Sequence, residues 1–273
     1  MPVPSSVFAK KRVHIAGFIL IVFLSTLLWL FIRSLPDVRP LKDPQYNMKI
    51  MVSDWRGRRS SFVLGPRNPL WTSLSQIPPT LKWAVIVAED DTFYQHRGFN
   101  FSAMRDALWE DIKRWRPVRG GSTITQQLAK NLYLSKKKSL FRKLKEAAIA
   151  RRLERHLSKD RILELYLNVI ECGPRVYGVG EGSRYYFRKP PIDLNFFESV
   201  LLAAIIPSPK RYYPLRHPQR AMKRYKKVLL LMRTAKLITF NQYEIARAVQ
   251  LNLDPWEQYL YFSPLWEDKE RNI

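Results

Sequence analysis

Residues 15–32 read IAGFILIVFLSTLLWLFI, eighteen positions without a charge. As a helix that run spans about 27 Å, close to the hydrocarbon thickness of a bilayer. The pattern then breaks up. Residues 34–66 scatter apolar positions among prolines and arginines, which predicts a juxtamembrane linker with a short strand or two. WTSLSQIPPTLKWAVIVAEDD opens on Ser, Thr and Pro punctuation and turns apolar, which predicts a helix. In GGSTITQQLAKN, Thr123 and Gln126 fit a capping box, and Ile124, Leu128 and Leu132 form an apolar stripe at four-residue spacing. Gln126, Gln127, Lys130 and Asn131 fall off that stripe. SLFRKLKEAAIARRLERHLSKDRILELYLNVIE predicts two helices punctuated near Ser158. DLNFFESVLLAAIIP predicts a buried helix stopped by Pro207. QRAMKRYKKVLLLMRTAKLITFNQYEIARAVQ predicts two more, broken near residues 237–239. Strand patterns are few, so the body is expected to be mainly α.

The flanks of the first apolar run orient it. Lys10, Lys11 and Arg12 precede it and only Arg33 follows closely, so the positive-inside rule puts the N-terminus in the cytoplasm and the body outside. FIRSLPDV offers no small-x-small cleavage site, so the run is expected to stay as an anchor rather than leave as a signal peptide. The expected division is a basic cytoplasmic tail over 1–12, a signal anchor over 13–33, the linker over 34–66, a catalytic domain over 67–250 and a tail over 251–273. The net charge of +24 attracts polyanions: nucleic acid, an anionic bilayer or a phosphorylated substrate. A body outside the cytoplasm removes nucleic acid from that choice, and a basic surface favouring membrane lipids accounts for part of the charge. Cys172 is the one cysteine, so no intramolecular disulfide forms; a small buried role is expected for it.

Three clusters carry candidate chemistry. In AEDDTFYQHRG, carboxylates follow directly on the apolar run 83–88. Glu89 at the end of a buried helix is partly desolvated, which raises its basicity and suits a general base; a helix end meeting solvent is the other reading. His96 has no second histidine at metal-ligand spacing, so a zinc site has no support. In GGSTITQQLAKN, a glycine turn feeds a helix N-terminus, an anion site to which Lys130 adds a full charge. In RKLKEAAIARRLE, Glu146 shares a helix face with Ile149, Ala150, Leu153 and Leu157, and Arg142 lies one turn back. Either the two form a structural pair, or they face a cleft together.

The clusters supply carboxylates and cations, with no Ser–His or Cys–His set and no Walker loop. Glycosyl transfer from a diphosphate-linked sugar needs that combination. One carboxylate activates the attacking oxygen, and cations stabilise a leaving group that needs no protonation.

At this point the chain resembles the peptidoglycan glycosyltransferases of glycosyltransferase family 51, in the monofunctional form. The family's first motif appears as EDDTFYQHRG, the second as GGSTITQQLAKN and the third as RKLKE; ILELYLNVIECGPRVYGVG and ESVLLAAIIPSPKRYYP follow in family order, over residues 71–214 with looser similarity to about 250. The resemblance implies a lysozyme-like, mainly α glycosyltransferase domain with a membrane-facing lobe, preceded by one transmembrane helix. It implies polymerisation of lipid II into glycan strands with inversion, on the outer side of a bacterial cytoplasmic membrane. Glu89 is then the base that deprotonates the acceptor hydroxyl. Lys130, Lys138 and Arg142 hold the pyrophosphate. Glu146 matches the family's second essential glutamate, which either orients the cations or coordinates a divalent metal ion. Asp90, Phe93, His96, Gly121, Ser122, Thr123, Gln126, Gln127 and Asn131 complete the substrate side. No cofactor is required; magnesium or manganese at the diphosphate is the one option left open. Expected partners are lipid II, the growing strand, the bilayer and other cell-wall synthesis proteins, with no nucleic acid.

The chain departs from the family pattern in places. Lys138 stands where Arg is usual, so it is expected to matter less than Lys130 and Arg142, and Lys138→Arg is expected to raise activity. Gly180, Glu181 and Gly182 replace the frequent Glu-Ala-Ala, and YFRK replaces Tyr-Phe-Gly-Lys, so packing beside the cleft is expected to differ. No transpeptidase domain is expected after Ile273. A lysozyme-type glycan-cleaving enzyme and a non-catalytic cell-wall scaffold are the competing readings.

Overall fold

In a computed structural model, the structure describes residues 5–53, 59–100, 121–135 and 139–249, with Arg105 and Trp109. Lys138, Gly120 and the tail 251–273 lie outside the described residues. The chain divides after Asp37 into two units.

The first unit is a helix, α1 (Ser5–Arg33). Its described side chains from Phe18 to Ile32 are apolar except for Ser25 and Thr26, and all but the half-buried Phe31 are exposed, with Phe18 68% and Trp29 55% accessible. Thr26 and Ser34 return their hydroxyls to the carbonyls of Val22 and Phe31, so neither breaks the helical ladder. Among the described residues no helix is long and apolar enough to cross a membrane.

The second unit is helical apart from two small hairpins. A 3-10 turn (Arg39–Lys42) leads to β1 (Met48–Ser53) and β2 (Arg59–Leu64), an antiparallel pair with Ile50 opposite Phe62. This hairpin falls in the stretch read as a linker, and its short strands were expected. Its packing was not: Ile50 and Leu64 are buried in the body, as is Leu41 of the turn before it. Arg161 fixes the turn below it, donating to the carbonyls of Leu41 at 2.8 Å and Asp43 at 3.0 Å.

Next comes α2 (Pro79–Glu89), started by a proline at its first position, with Leu81, Ala84, Val85, Ile86 and Val87 all buried. Three helices follow the expected punctuation: α3 (Ile124–Tyr133), α4 (Leu140–His156) and α5 (Lys159–Val169) capped by Ser158. The small hairpin of β3 (Glu171–Gly173) and β4 (Val176–Tyr177) and the helix after it, α6 (Val179–Phe187), had no counterpart in the sequence pattern. Then α7 (Phe196–Ile205) is the buried helix expected before Pro207, started by an Asn195–Glu198 capping box. The chain closes with α8 (Pro218–Thr234) and α9 (Phe240–Ala248), broken at the expected residues by Thr239, which caps α9.

The core packs α2 against α7 and α8, and α3 against α4 and α5. Two glycines beside the cleft leave no room for a side chain, and Gly180 is one of the departures from the family pattern. Gly178 sits at φ +82, and a Cβ there would stand 2.7 Å from the Asn168 carbonyl. A Cβ on Gly180 would meet the Leu70 carbonyl at 2.0 Å, so α6 approaches that strand of backbone more closely than an alanine permits. Cys172 is fully buried beside Gly182, and burial raises its thiol pKa.

Candidate active site

The end of α2 and the start of α3 are stapled together by Asp90. It leaves the helix with a non-helical backbone, and its two oxygens accept from the Ile124 amide at 2.9 Å and from His96 Nε2 at 2.8 Å. His96 Nδ1 in turn accepts from the Gly98 amide at 3.1 Å, which assigns the ring's proton to Nε2. Thr123 donates to the Gly98 carbonyl at 2.8 Å. Burial raises the Asp90 pKa, against the lowering effect of these bonds. One short loop thus fixes where Glu89 and the N-terminus of α3 stand relative to each other.

Glu89 is mostly buried, with its side chain 10% exposed. Its Oε2 accepts from Gln127 Nε2 at 2.7 Å, and Gln127 Oε1 accepts from the fully buried Tyr166 at 3.3 Å. Oε1 faces Arg224 of α8, with Nη2 at 4.0 Å. Burial raises the Glu89 pKa and Asp90 adds to the rise; Gln127, Arg224 and Lys130 oppose it. This is the environment of a carboxylate that takes up a proton readily.

Glu146 is held differently. It sits on the buried face of α4 with Ile149, Ala150 and Leu153, its side chain 3% exposed. Arg142 Nη1 pairs with Oε2 at 2.7 Å, and the Lys143 ammonium pairs with Oε1. Lys143 also donates to Ser122 Oγ at 3.1 Å, which ties α4 to the loop before α3. A cleft of about 620 Å³ opens here, walled by Ser122, Gln127, Lys130, Asn131, Arg142, Lys143 and Glu146. Met51 and Val52 of the first hairpin, Tyr177 of β4 and Pro207 line it as well. A smaller recess of about 120 Å³ lies beside it, lined by Glu89, Asp90, Gly121, Ser122 and Thr123. Ser122 borders both.

Lys130 joins the two parts. Its pKa is lowered first by burial and then by Arg142 and Lys143, while Glu146 and Glu89 raise it. The side chain is nonetheless open to the cleft, so water reaches the ammonium and tempers the effect of burial. An anion entering beside Lys130, Arg142 and Lys143 relieves the repulsion among them.

The structure brings Glu89, Gln127, Lys130, Asn131, Arg142, Glu146, Gly121 and Ser122 to these adjoining spaces. It does not bring Phe93 there: that ring is fully buried, with the Lys159 ammonium 4.5 Å above it. Gln126 is likewise interior, its carbonyl oxygen accepting the Thr123 amide at 3.1 Å as the return half of the capping box. Asp90 and His96 spend their polar atoms on the staple rather than on the larger cleft. Among the described residues no three His, Cys, Asp or Glu side chains converge to hold a metal ion.

A family model described as Transglycosylase matches residues 58–233. The chain belongs to the transglycosylase family. It is 45% identical over 167 residues to the biosynthetic peptidoglycan transglycosylase of Nitrosomonas eutropha, covering 61% of this chain and 68% of that one. With the protein of the same name from Nitrosospira multiformis it shares 43% over 190 residues, 70% of this chain and 81% of that one. Penicillin-binding protein 1A of Aquifex aeolicus is 36% identical over 254 residues, which is 92% of this chain but 35% of that one. The chain thus spans about a third of the length of the penicillin-binding proteins it matches. A solved structure of penicillin-binding protein 1A from Haemophilus influenzae aligns over 76% of this chain and 21% of that one, at 19% identity and a TM-score of 0.41.

Within this transglycosylase, two charged residues escaped the sequence reading. Lys143 had a signal, since it lies three residues before Glu146 and so on a neighbouring face. Arg224 had none: it reaches the carbonyl of Ala88, 136 residues away in the chain, only because α8 packs on α2.

Proposed function

We propose that the chain is a peptidoglycan glycosyltransferase that polymerises lipid II into glycan strands for the bacterial cell wall. The observation that carries this reading is the division of the site. A buried glutamate with a raised pKa stands beside a cleft whose Lys130, Arg142 and Lys143 gather around a second glutamate.

In this mechanism Glu89 Oε1 takes the proton of the acceptor's 4-hydroxyl as that oxygen attacks C1 of the donor sugar. The C1–oxygen bond to the diphosphate breaks, with inversion, and its electron pair leaves on the diphosphate. Lys130, Arg142 and Lys143 stabilise that charge, and their contacts strengthen as it develops. Glu146 keeps Arg142 and Lys143 aligned and offsets their mutual repulsion. A divalent cation fits this donor set poorly, because both Glu146 oxygens already carry a cation and both Asp90 oxygens are bonded.

The same reading makes residues 13–33 a retained single-pass anchor, with the body lysozyme-like, one lobe facing the membrane and the active site on the outer side of the cytoplasmic membrane. Support comes from the uncharged run 15–32 and from the exposed, all-round apolar surface of α1. Exposed Leu140, Phe141 and Leu144 near the cleft, with basic neighbours Lys143 and Lys145, suit a donor that sits in lipid. The experiment is to incubate the purified full chain with labelled lipid II and, separately, with isolated glycan strands. Polymer formed from lipid II supports the reading. Cleaved strands with no polymer point to a glycan-cutting enzyme, and no reaction with either substrate points to a scaffold.

A further inference from the structure

Helix α8 is strongly basic, and nearly all of its cations face water. Arg220, Lys223, Lys226 and Lys227 are exposed. Arg224 is the exception. It turns inward beside buried Ala221, Tyr225 and Val228, and its side chain is 14% exposed. One guanidinium nitrogen, Nη2, donates to the Ala88 carbonyl at 3.2 Å. Nε is buried without a hydrogen-bond partner among the described residues. Nη2 stops 4.0 Å from Glu89 Oε1, outside hydrogen-bonding distance. For folding alone this is a poor use of an arginine. A buried cation is expensive unless it is fully paired, and a direct two-pronged contact would pair it better.

The spacing makes sense for the reaction. Glu89 Oε2 is already occupied by Gln127. Oε1 is the oxygen left to receive a proton, and a donor bonded to it would compete with the acceptor hydroxyl. A cation one step further back favours the ionised carboxylate while leaving that lone pair open.

We propose that Arg224 is a positioning residue for Glu89: anchored on the Ala88 carbonyl, it fixes the end of α2 and keeps the Glu89 carboxylate charged and oriented without occupying Oε1. The inference rests on Glu89 as the general base. Every charged or polar group facing Glu89 enters the balance. Gln127 and Lys130 from α3 and Arg224 from α8 favour the charged form, and Asp90 from the adjoining loop opposes it, with burial the largest effect. Removing Arg224 therefore raises the Glu89 pKa further above its usual value.

The test is the pH dependence of polymerisation by the full chain on labelled lipid II, for wild type, Arg224→Met and Arg224→Lys, with Glu89→Gln alongside. An opposite charge at this distance shifts a carboxyl by about one unit or more. The acidic limb of Arg224→Met is expected to move up by that amount. Its activity relative to wild type should climb from about a tenth on the limb toward parity at high pH, and Arg224→Lys should restore most of the shift. Taking the ratio to wild type cancels the titration of Lys130. If Arg224→Met does not fold, Arg224→Gln keeps a donor for Ala88 and serves in its place. An unmoved limb with inactive Glu89→Gln overturns the role of Arg224 and leaves the base standing. Near-normal activity in Glu89→Gln overturns the base, and the inference falls with it.

Discussion

The two glutamates of the site are built to opposite specifications. Glu146 is held by two cations on its own helix, one turn back, both in direct contact. Among the described residues Glu89 has a single direct partner, an amide from a different helix, and its cation stands off at 4.0 Å. Both Glu146 oxygens are taken up by the Arg142 and Lys143 cations, which leaves the carboxylate committed to holding them. One held by a neutral amide in a desolvated corner gains less by staying charged and accepts a proton more easily. In the proposed mechanism the same residue type therefore serves two purposes: Glu89 exchanges a proton, and Glu146 organises charge.

The largest expected effect comes from removing the acceptor. Glu89→Gln keeps shape and the Gln127 contact but cannot take a proton, and turnover on lipid II should fall by about 100-fold to 10,000-fold. Retention of more than a tenth of wild-type turnover removes Glu89 from this role. Next in size are the cations. Lys130→Ala and Arg142→Ala should each lower turnover by about 100-fold, comparable to losing one oxyanion donor, with little change in lipid II binding. If these variants lose activity only in proportion to lost fold, as read from the thermal midpoint, the residues are structural.

The smallest effect is on stability. The folded-state pKa of Glu89 is raised, so the native chain holds that proton more tightly than the unfolded chain does. Stability then falls as pH rises from the model-peptide value of 4.5 through the folded value, and levels off above it. Glu89→Gln lacks this loss. Its thermal midpoint relative to wild type should rise over that window, on the order of a few degrees for a domain of this size. A difference that shrinks as pH rises contradicts the desolvated setting of Glu89.

Much of this arrangement was legible in the sequence, for local reasons. Thr123 with Gln126, Ser158, and Thr239 with Gln242 are caps whose partners lie within four residues, and all three start helices where expected. Glu146 stood out because a carboxylate occupied a core position of its helix, and it is buried. What local pattern could not decide was which way a polar side chain turns once helices pack. Gln126 and Gln127 are neighbours of one type, yet the first closes a cap and the second reaches Glu89. Phe93 lies inside a motif full of polar residues, yet it is a core ring roofed by Lys159. The hairpin at residues 48–64 has weak alternation, so its burial against α5 shows only in the fold.

The division of labour between the glutamates is tested most directly by the pH profile of lipid II polymerisation for Glu146→Gln beside wild type. The groups that set the Glu89 pKa are Gln127, Arg224, Lys130 and Asp90, and Glu146 is not one of them. The account predicts that Glu146→Gln lowers the whole profile, by about 10-fold to 100-fold as Arg142 and Lys143 lose their alignment, while the acidic limb stays where it was. A limb that disappears or moves by a full pH unit in Glu146→Gln would contradict it, because the titrating base would then be Glu146 or a group coupled to it.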